Sequence, residues 1–442
     1  MSTPSTPSTT STFDAPGSGA NRVLTLSTTA FTLMFAVWLM FGILGKPIQE
    51  EFGLTNVELS WISAVAVLNG SLWRLPAGIL ADRFGGKKIM VILLLAGAVF
   101  SYLVSLAASY EMLLVLAFLV GFVGNSFSSG IAWNSAWFPA ERKGFALGLF
   151  GAGNVGASVT KFIGPPVIAA TAGSTVIFGL QGGWRLIPAF YAVLLLVCAA
   201  LVWWLAPKQD RMPGRAQPLG TQLRPLKDIR VWRFSLYYVI AFGAYVAYAA
   251  ILPGHYIDTF GVDLTTAGLL TATFIFPASL LRPVGGWLSD VWGARVAMYA
   301  TFLTIIVALS VLSVPSGRDE SGPYGLSLWV VVALIFVVGC AMGVCKAAVY
   351  KHIPTYFPDN VGSVGGLVGM LGGLGGFFLP PMFAYLKVAT GVTSMPFTVL
   401  LVLTLLALAW MHVVITRMKR MLPGRPDLLE VPPEVHESTT GS

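Results

Sequence analysis

Twelve long apolar stretches run through this chain of 442 residues, and they limit its fold more than any other feature. A helix needs about 20 mostly apolar residues to cross the core of a bilayer, and each stretch is long enough. Only 10% of the residues are charged, whereas soluble domains have about 25%. The sequence therefore predicts an all-α integral membrane protein with twelve transmembrane helices, at residues 26–46, 58–81, 88–108, 111–138, 144–170, 184–206, 232–253, 264–289, 294–315, 327–353, 361–386 and 394–417.

The two ends of the chain predict no further folded domain, and the cysteines predict no metal site. Residues 1–24 are rich in Ser, Thr and Pro, a composition that cannot bury a core, so we expect a disordered tail there. Residues 418–442 are also polar and predict a second tail. Three cysteines fall in apolar spans at a spacing that suits no zinc site. We expect no metal, no cofactor and no enzymatic activity.

The basic residues predict how the chain lies in the membrane. Of 27 Lys and Arg residues, 18 fall in the N-terminal tail, in the loops after helices 2, 4, 6 and 8, or in the C-terminal tail. Cytoplasmic segments carry such an excess, so both termini are expected in the cytoplasm, in a bacterial-type cytoplasmic membrane. The net charge of +8 is then a topology signal and does not indicate nucleic-acid binding. Only four basic residues fall on the other side: Lys46, Arg185, Arg318 and Lys387.

The chain repeats itself, with an offset of 208 residues in one pair of stretches and of 218 or 219 in another. The stretch "RLPAGILADRFGGK" matches "RPVGGWLSDVWGAR" without a gap, and a second echo joins "FPAERKGFALGLFGAGNVG" to "FPDNVGSVGGLVGMLGGLGG". Two echoes in the same order predict two pseudo-symmetric six-helix halves, 25–206 and 232–417, joined by a cytoplasmic linker at 207–231. The matched pairs are Arg74 with Arg282, Gly78 with Gly286, Asp82 with Asp290 and Gly85 with Gly293.

Six plus six helices, with the pattern G-x-x-x-D-x-x-G-x-[KR] after helices 2 and 8, resemble the major facilitator superfamily. The resemblance covers nearly the whole chain. It implies that substrate binds near the bilayer midplane between the two halves, which rock to alternate access. The residues of the gating loops are then Gly78, Asp82, Arg83, Gly85, Gly286, Asp290 and Gly293.

The charges inside the spans are all basic. None of the 19 Asp and Glu residues lies in the middle of an apolar stretch. A cation at a helix centre costs about 2.5–3.5 kcal/mol to insert, and no internal carboxylate offsets this cost. The simplest counter-charge is an anionic substrate. The five internal cations are Arg74, Lys161, Arg282, Lys346 and Lys351.

Arg74 and Arg282 are the main candidates for binding that anion. Each lies eight residues before a loop Asp, which is roughly 12 Å from the helix end. Because they are equivalent in the repeat, we expect them to face each other across the pseudo-twofold axis. Two planar guanidinium groups suit a small planar oxyanion. Snorkelling or a bond to a backbone carbonyl is the alternative.

The lysines and one amide have open assignments. Lys161 lies in the middle of helix 5, where it either binds the anion or takes part in proton coupling. Lys346 lies one or two turns deeper than Lys351, which either reaches the membrane interface or supports the site. Helices 5 and 11 are rich in glycine, which permits close packing and sliding of the halves. Asn154 in helix 5 is either a ligand or a packing hydrogen-bonder.

The stretches "WRLPAGILADRFGG", "FPAERKGFALGLFGAGNVGASVTKF", "LLRPVGGWLSD" and "GLGGFFLPP" together resemble the nitrate/nitrite porter (NarK-like) family. The resemblance implies a nitrate or nitrite ion held between Arg74 and Arg282, with aromatic rings on its faces and Asn154 nearby. By position, those rings are Phe127, Tyr238 and Phe242. Some members have a serine where this chain has Gly369, so a hydroxyl contact there is in doubt.

The transport mode is open at this stage. Lys161 and Lys351 resemble the type that moves nitrate with protons, so nitrate/proton symport by a functional monomer is the expectation. Nitrate/nitrite antiport is the alternative, as is a carrier for another small anion such as a short carboxylate. A haem-binding redox enzyme would need histidine pairs inside the bundle, and only His412 lies well within a span. A receptor on the same scaffold is disfavoured because the tails hold no signalling domain.

Overall fold

The computed structural model describes residues 18–174, 181–213, 227–319, 322–357 and 361–421. Most of the two predicted tails, residues 1–17 and 422–442, lies outside the described residues, as do residues 214–226 of the predicted linker. Within the described residues the chain folds into a bundle of long helices, as predicted.

Twelve helical elements occupy the predicted positions in the described residues, and several are interrupted by one residue or a short turn. The first half contains α1 (Ser18–Trp38 and Phe41–Phe52), α2 (Asn56–Leu72 and Arg74–Phe84), α3 (Gly86–Ser105), α4 (Tyr110–Val120 and Ser126–Trp137), α5 (Ala140–Ala152 and Gly156–Thr171) and α6 (Leu186–Leu205). The second half contains α7 (Ile229–Tyr238 and Ala244–Phe260), α8 (Leu264–Leu280 and Arg282–Trp292), α9 (Ala294–Leu312), α10 (Leu328–Tyr356), α11 (Val361–Thr390) and α12 (Met395–Met421).

Most of these helices can cross a membrane by length and composition. Ten in the described part of the chain are long and apolar enough, and α8 is an eleventh when its two segments, bent by 44°, count as one span. The remaining element, α5, lies where the fifth span is predicted, but a 3₁₀ turn at Gly153–Val155 divides it. The outer surface is apolar, with Trp204 and Trp329 among its most exposed side chains, as lipid contact requires.

Two details differ from the prediction. The first helix begins at Ser18, inside the predicted tail, because Val23 and Leu24 are buried against the bundle and extend it. The chain is also not purely helical. A short antiparallel hairpin, β1 (Gly317–Asp319) with β2 (Gly322–Tyr324), connects α9 to α10. Gly and Pro in this segment end the helix and favour a turn.

The sequence repeat is a structural repeat. The last turn of α2 and of α8 leads into a glycine, Gly85 or Gly293, with nearly the same left-handed backbone: φ 95° and ψ 135° in one, φ 85° and ψ 141° in the other. Glycine reaches this region without the steric cost that other residues incur. We call the end of the bundle that carries these two loops the motif face.

The two halves pack against each other along three seams. These seams join α1 to α7, α2 to α11 and α5 to α8. Glycine makes the contact at the last seam close, since a Cβ on Gly268 of α8 would lie 2.6 Å from the carbonyl oxygen of Lys161 in α5. The candidate site takes residues from helices of all three seams.

Candidate anion-binding site

Each of the two arginines follows a break in its helix. Trp73 separates the segments of α2 and Leu281 those of α8, both with ψ near zero, and Arg74 and Arg282 are the next residues. Proline follows in both sequences, at Pro76 and at Pro283. Because proline has no N–H to continue the helical ladder, it fixes the break at the same place in both halves.

Arg74 is completely buried and joins the two halves. Its Nε donates to the Gly70 carbonyl oxygen at 2.9 Å, and its Nη1 donates to the Gly369 carbonyl oxygen of α11 at 3.1 Å. Its Cζ lies 5.1 Å from the ring centre of Trp38 and 4.9 Å from that of Phe242. The guanidinium group is therefore held by backbone carbonyls on one side and by aromatic rings on others.

Phe127 contacts both guanidinium groups. The Cζ atoms of Arg74 and Arg282 lie 5.5 Å and 5.4 Å from the centre of its ring. Phe242 lies 6.5 Å away at an interplanar angle of 22°, and Tyr238 stacks on Phe242 at 5.2 Å and 10°. The three rings predicted from the family resemblance therefore lie together beside the arginine pair.

Arg282 is held more loosely than Arg74. Within the described residues it makes no hydrogen bond, and its aromatic neighbours are Phe127 and Tyr350, at 5.4 Å and 5.5 Å. A Cβ on Gly151 would lie 3.0 Å from its Nη1, so glycine in α5 makes room for the guanidinium group. Asn154 lies in the 3₁₀ turn that follows Gly151 in α5.

Several buried polar atoms around this centre have no hydrogen-bond partner among the described residues. They are Nη2 of Arg74, Nη1 of Arg282, both side-chain amide atoms of Asn154 and the hydroxyl of Tyr238. A buried donor without an acceptor costs roughly 1–3 kcal/mol, and more when it is charged. The donors of this group therefore suit an acceptor that carries negative charge.

The buried charges are unbalanced, as the sequence predicts. Among the described residues, no Asp or Glu side chain is buried. The buried basic side chains among these residues are Arg74, Lys161, Arg233, Arg282, Lys346 and His352.

The three lysines lie in different places. Lys346 lies nearest the site: its Nζ donates to the Ala278 carbonyl oxygen at 3.0 Å and lies 3.2 Å from the ring centre of Tyr245. Lys161 is buried in α5, where its Nζ donates to the Leu39 carbonyl oxygen at 3.1 Å, and no ring of the site contacts it. Lys351 is about half exposed and pairs with Asp290 at the motif face.

Sequence reasoning missed two groups that complete the site. Tyr350 lies one helical turn after Lys346, and this spacing could have identified it as a residue on the same face of α10. Its hydroxyl donates to the Gly365 carbonyl oxygen at 3.0 Å, and a Cβ on Gly369 would lie 2.8 Å from that hydroxyl. Tyr350 thus leaves little room for a side chain at position 369. The other missed group is Trp38, whose Nε1 donates to the Ala66 carbonyl oxygen at 3.0 Å.

The predicted gating loops lie at the motif face, away from the arginines. A Cβ on Gly78 would lie 3.6 Å from the Cβ of Ser128 in α4, whereas one on Gly286 would meet open space. Asp82 and Arg83 lie in the last turn of α2.

The linker secures the loop of the first half. Asp210 accepts hydrogen bonds from Lys87 N, Trp133 Nε1 and Trp137 Nε1, at 2.8, 3.1 and 2.9 Å. The sequence did not single out this carboxylate, because its donors come from the ends of two different helices, α3 and α4. In the second half, Lys351 of α10 contacts the loop residue Asp290 instead.

Comparison with known sequences agrees with this architecture. The chain matches the Major Facilitator Superfamily over residues 26–253 and again over 234–434. It is 59% identical over 407 residues to a Thermus thermophilus protein named "Probable nitrate/nitrite antiporter NarK1", covering 90% of this chain and 92% of that one. It is 30% identical to a Staphylococcus epidermidis "Probable nitrate transporter NarT" (88% and 95% covered) and to a Bacillus subtilis "Nitrite extrusion protein" (85% and 90% covered).

Solved structures share the fold at low sequence identity. A bacterial homologue of the human lysosomal transporter Spinster, in an inward-facing and occupied conformation, superposes with a TM-score of 0.70 at 15% identity, covering 89% of this chain and 96% of that one. The nucleoside transporter NupG superposes with a TM-score of 0.66 at 12% identity, covering 88% and 99%. These structures share the fold, and the sequence matches show that the chain belongs to the major facilitator superfamily and, within it, to the nitrate/nitrite porter (NarK-like) family.

Proposed function

We propose that this chain carries nitrate and nitrite across the cytoplasmic membrane, with the anion held between Arg74 and Arg282. One observation carries the proposal: two buried arginines from opposite halves share the ring of Phe127, and each keeps a side-chain nitrogen that has no partner among the residues that the structure describes. A bound anion supplies both the acceptor and the negative charge that these groups lack. The names of the three relatives, all of which mention nitrate or nitrite, support the same substrate class.

The aromatic rings favour a small flat ion over a bulkier one. A flat ion between two ring faces needs about 7 Å between them, since atoms in contact lie about 3.5 Å apart. The ring centres of Phe127 and Phe242 lie 6.5 Å apart and the ring planes are tilted by 22°, so the rings need to separate slightly to admit a flat ion and would need to separate further for a bulkier one. The guanidinium groups then hydrogen-bond in the plane of the ion, and the unpaired amide of Asn154 offers a further neutral donor.

We infer exchange of nitrate for nitrite rather than the symport expected from the sequence. The relative at 59% identity is named as an antiporter. One of the two lysines behind the symport expectation, Lys351, pairs with Asp290 at the motif face instead of joining the site. In exchange, the anion itself neutralises the arginines in each direction of the cycle, so no proton carrier is needed.

The proposed cycle is alternating access by a monomer whose halves, 25–206 and 232–417, move as units. The internal repeat and the site at the seam of the halves support this scheme. The excess of basic residues at the motif face supports a cytoplasmic location for that face and for both termini.

Transport into proteoliposomes tests both substrate and mode. Vesicles are loaded with nitrite or with buffer, with or without an acid-outside pH gradient, and the uptake of labelled nitrate is followed. We expect fast uptake only with internal nitrite, and little effect of the gradient. Uptake that the gradient drives equally well without nitrite would establish symport. Uptake of formate or acetate in place of nitrate would contradict the proposed substrate.

A further inference from the structure

A second charged cluster lies between the halves at the end of the bundle opposite the motif face. Lys46 of α1 pairs with Asp258 of α7 at 2.5 Å, so this ion pair joins one half to the other. Lys387 of α11 lies 3.8 Å from the other oxygen of Asp258, within the second half. The side chains of Lys46, Asp258 and Lys387 are only 15%, 28% and 29% exposed. Two cations thus share one carboxylate, and one positive charge is left over.

The cluster lines a cavity of about 100 Å³ to which both halves contribute. Its walls include Ser63 of α2 and Gly254 of α7, and its lining extends along α1 to Gly42. A Cβ on Gly42 would lie 3.3 Å from Nζ of the buried Lys161. Lys46 and Lys387 therefore line the cavity itself, and the buried Lys161 lies behind Gly42 in its wall.

We propose that Lys46 and Asp258 form a latch that closes this face, and that opening the latch turns Lys46 into an outer recruiting site for the transported anion. When the halves separate here, Asp258 keeps Lys387, which belongs to the same half, whereas Lys46 loses its carboxylate. The uncompensated ammonium group then faces the opened cavity. A cation at the mouth of a cleft raises the local concentration of anions and their rate of entry.

The two parts of the proposal rest on different grounds. The latch depends only on the ion pair between the halves, whatever the substrate. The recruiting role of Lys46 rests on the proposed anion transport. Measurements of access and of transport therefore separate a failure of the latch from a failure of the proposed function.

Access to the cavity tests the latch. Ser63→Cys is the reporter, in full-length protein whose three native cysteines are replaced by serine, and a membrane-impermeant maleimide is applied from the outside. Asp258→Asn removes the partly exposed ion pair, and we expect it to raise the rate at which the cysteine of Ser63→Cys is labelled about threefold to tenfold. Lys387→Gln is the matched control, because it removes a charge of the same cluster but leaves the pair between the halves; no acceleration is expected.

The double variant checks that the two groups act on each other. Lys46→Gln with Asp258→Asn is expected to label no faster than either single variant, since each change alone breaks the pair. An unchanged labelling rate in Asp258→Asn would overturn the latch. Equal acceleration in Lys387→Gln would also overturn it, because the effect would then come from charge in general.

Transport kinetics test recruitment. Lys46→Gln is expected to raise the KM for external nitrate about threefold to tenfold at low salt, and the difference is expected to shrink as ionic strength rises. Asp258→Asn, which frees Lys46, is expected to leave the KM unchanged or lower it. An unchanged KM in Lys46→Gln would overturn the recruiting role. If the unmodified protein moves no nitrate, the proposed function fails while the labelling result still decides the latch.

Discussion

The two central arginines occupy equivalent positions in the repeat but are held very differently. Arg74 is fully buried, donates to carbonyl oxygens in both halves and touches the rings of Trp38, Phe127 and Phe242. Arg282 makes no hydrogen bond among the described residues and contacts two rings. Symmetry in sequence therefore produced an asymmetric pair. We infer that Arg74 is a fixed anchor, whereas Arg282 is free to close on the ion.

The largest expected effect is loss of transport when either arginine becomes lysine. Arg74→Lys and Arg282→Lys each remove the forked donors of one guanidinium group. Because a charge-assisted hydrogen bond contributes about 1.5–3 kcal/mol, losing one is expected to lower nitrate uptake about 10–100-fold. Arg233→Lys is the matched control, because Arg233 is also buried but contacts none of the site rings. Uptake in proteoliposomes measures all three. Normal uptake by both site variants would remove the arginines from the mechanism.

Thermal stability is expected to separate the two arginines. Arg74→Lys loses hydrogen bonds to Gly70 and Gly369, so its apparent Tm in detergent should fall by roughly 2–4 °C. Arg282→Lys breaks no such bond and should leave the Tm unchanged or raise it. Thermal unfolding without substrate measures both. Equal losses of Tm would show that the two arginines are held alike.

Crowding at Gly369 is expected to disturb the site by a smaller amount. A methyl group there would lie 2.8 Å from the Tyr350 hydroxyl, so Gly369→Ala must move the ring that packs beside Arg282. We expect an uptake loss of about fivefold, since overpacking costs roughly 1 kcal/mol or more. Gly366→Ala is the control, because its Cβ would meet Leu75 at an ordinary 3.5 Å. If both variants transport alike, Tyr350 does not position the site.

The smallest effect is expected at Lys351. Its ion pair with Asp290 is about half exposed, and such pairs contribute about 1 kcal/mol or less. Lys351→Gln should therefore change nitrate/nitrite exchange by no more than about fivefold. Exchange assays in proteoliposomes measure this. Complete loss of uptake would instead support the coupling role that the sequence suggested.

The sequence predicted the fold, and that Arg74 and Arg282 lie close together, because both depend on patterns that repeat along the chain. Long apolar stretches give the helices, and the offset of 208 residues identifies Arg282 as the twin of Arg74. The carbonyl contact of Arg74 lies 295 residues away in sequence, in a run of glycines that has no side-chain signal. Such contacts depend on how the halves pack. The same holds for the pair of Lys46 with Asp258, which are 212 residues apart.

An experimental structure determined with nitrate tests the central claim most directly. We predict density for one planar ion between Phe127 and Phe242, within hydrogen-bond distance of Nη2 of Arg74 and Nη1 of Arg282, which have no partner in the described part of the chain. Compared with Arg74, Arg282 should show the larger shift on binding. An ion found only beside Lys46 and Lys387, or no ion between the arginines at a saturating concentration of nitrate, would contradict the account.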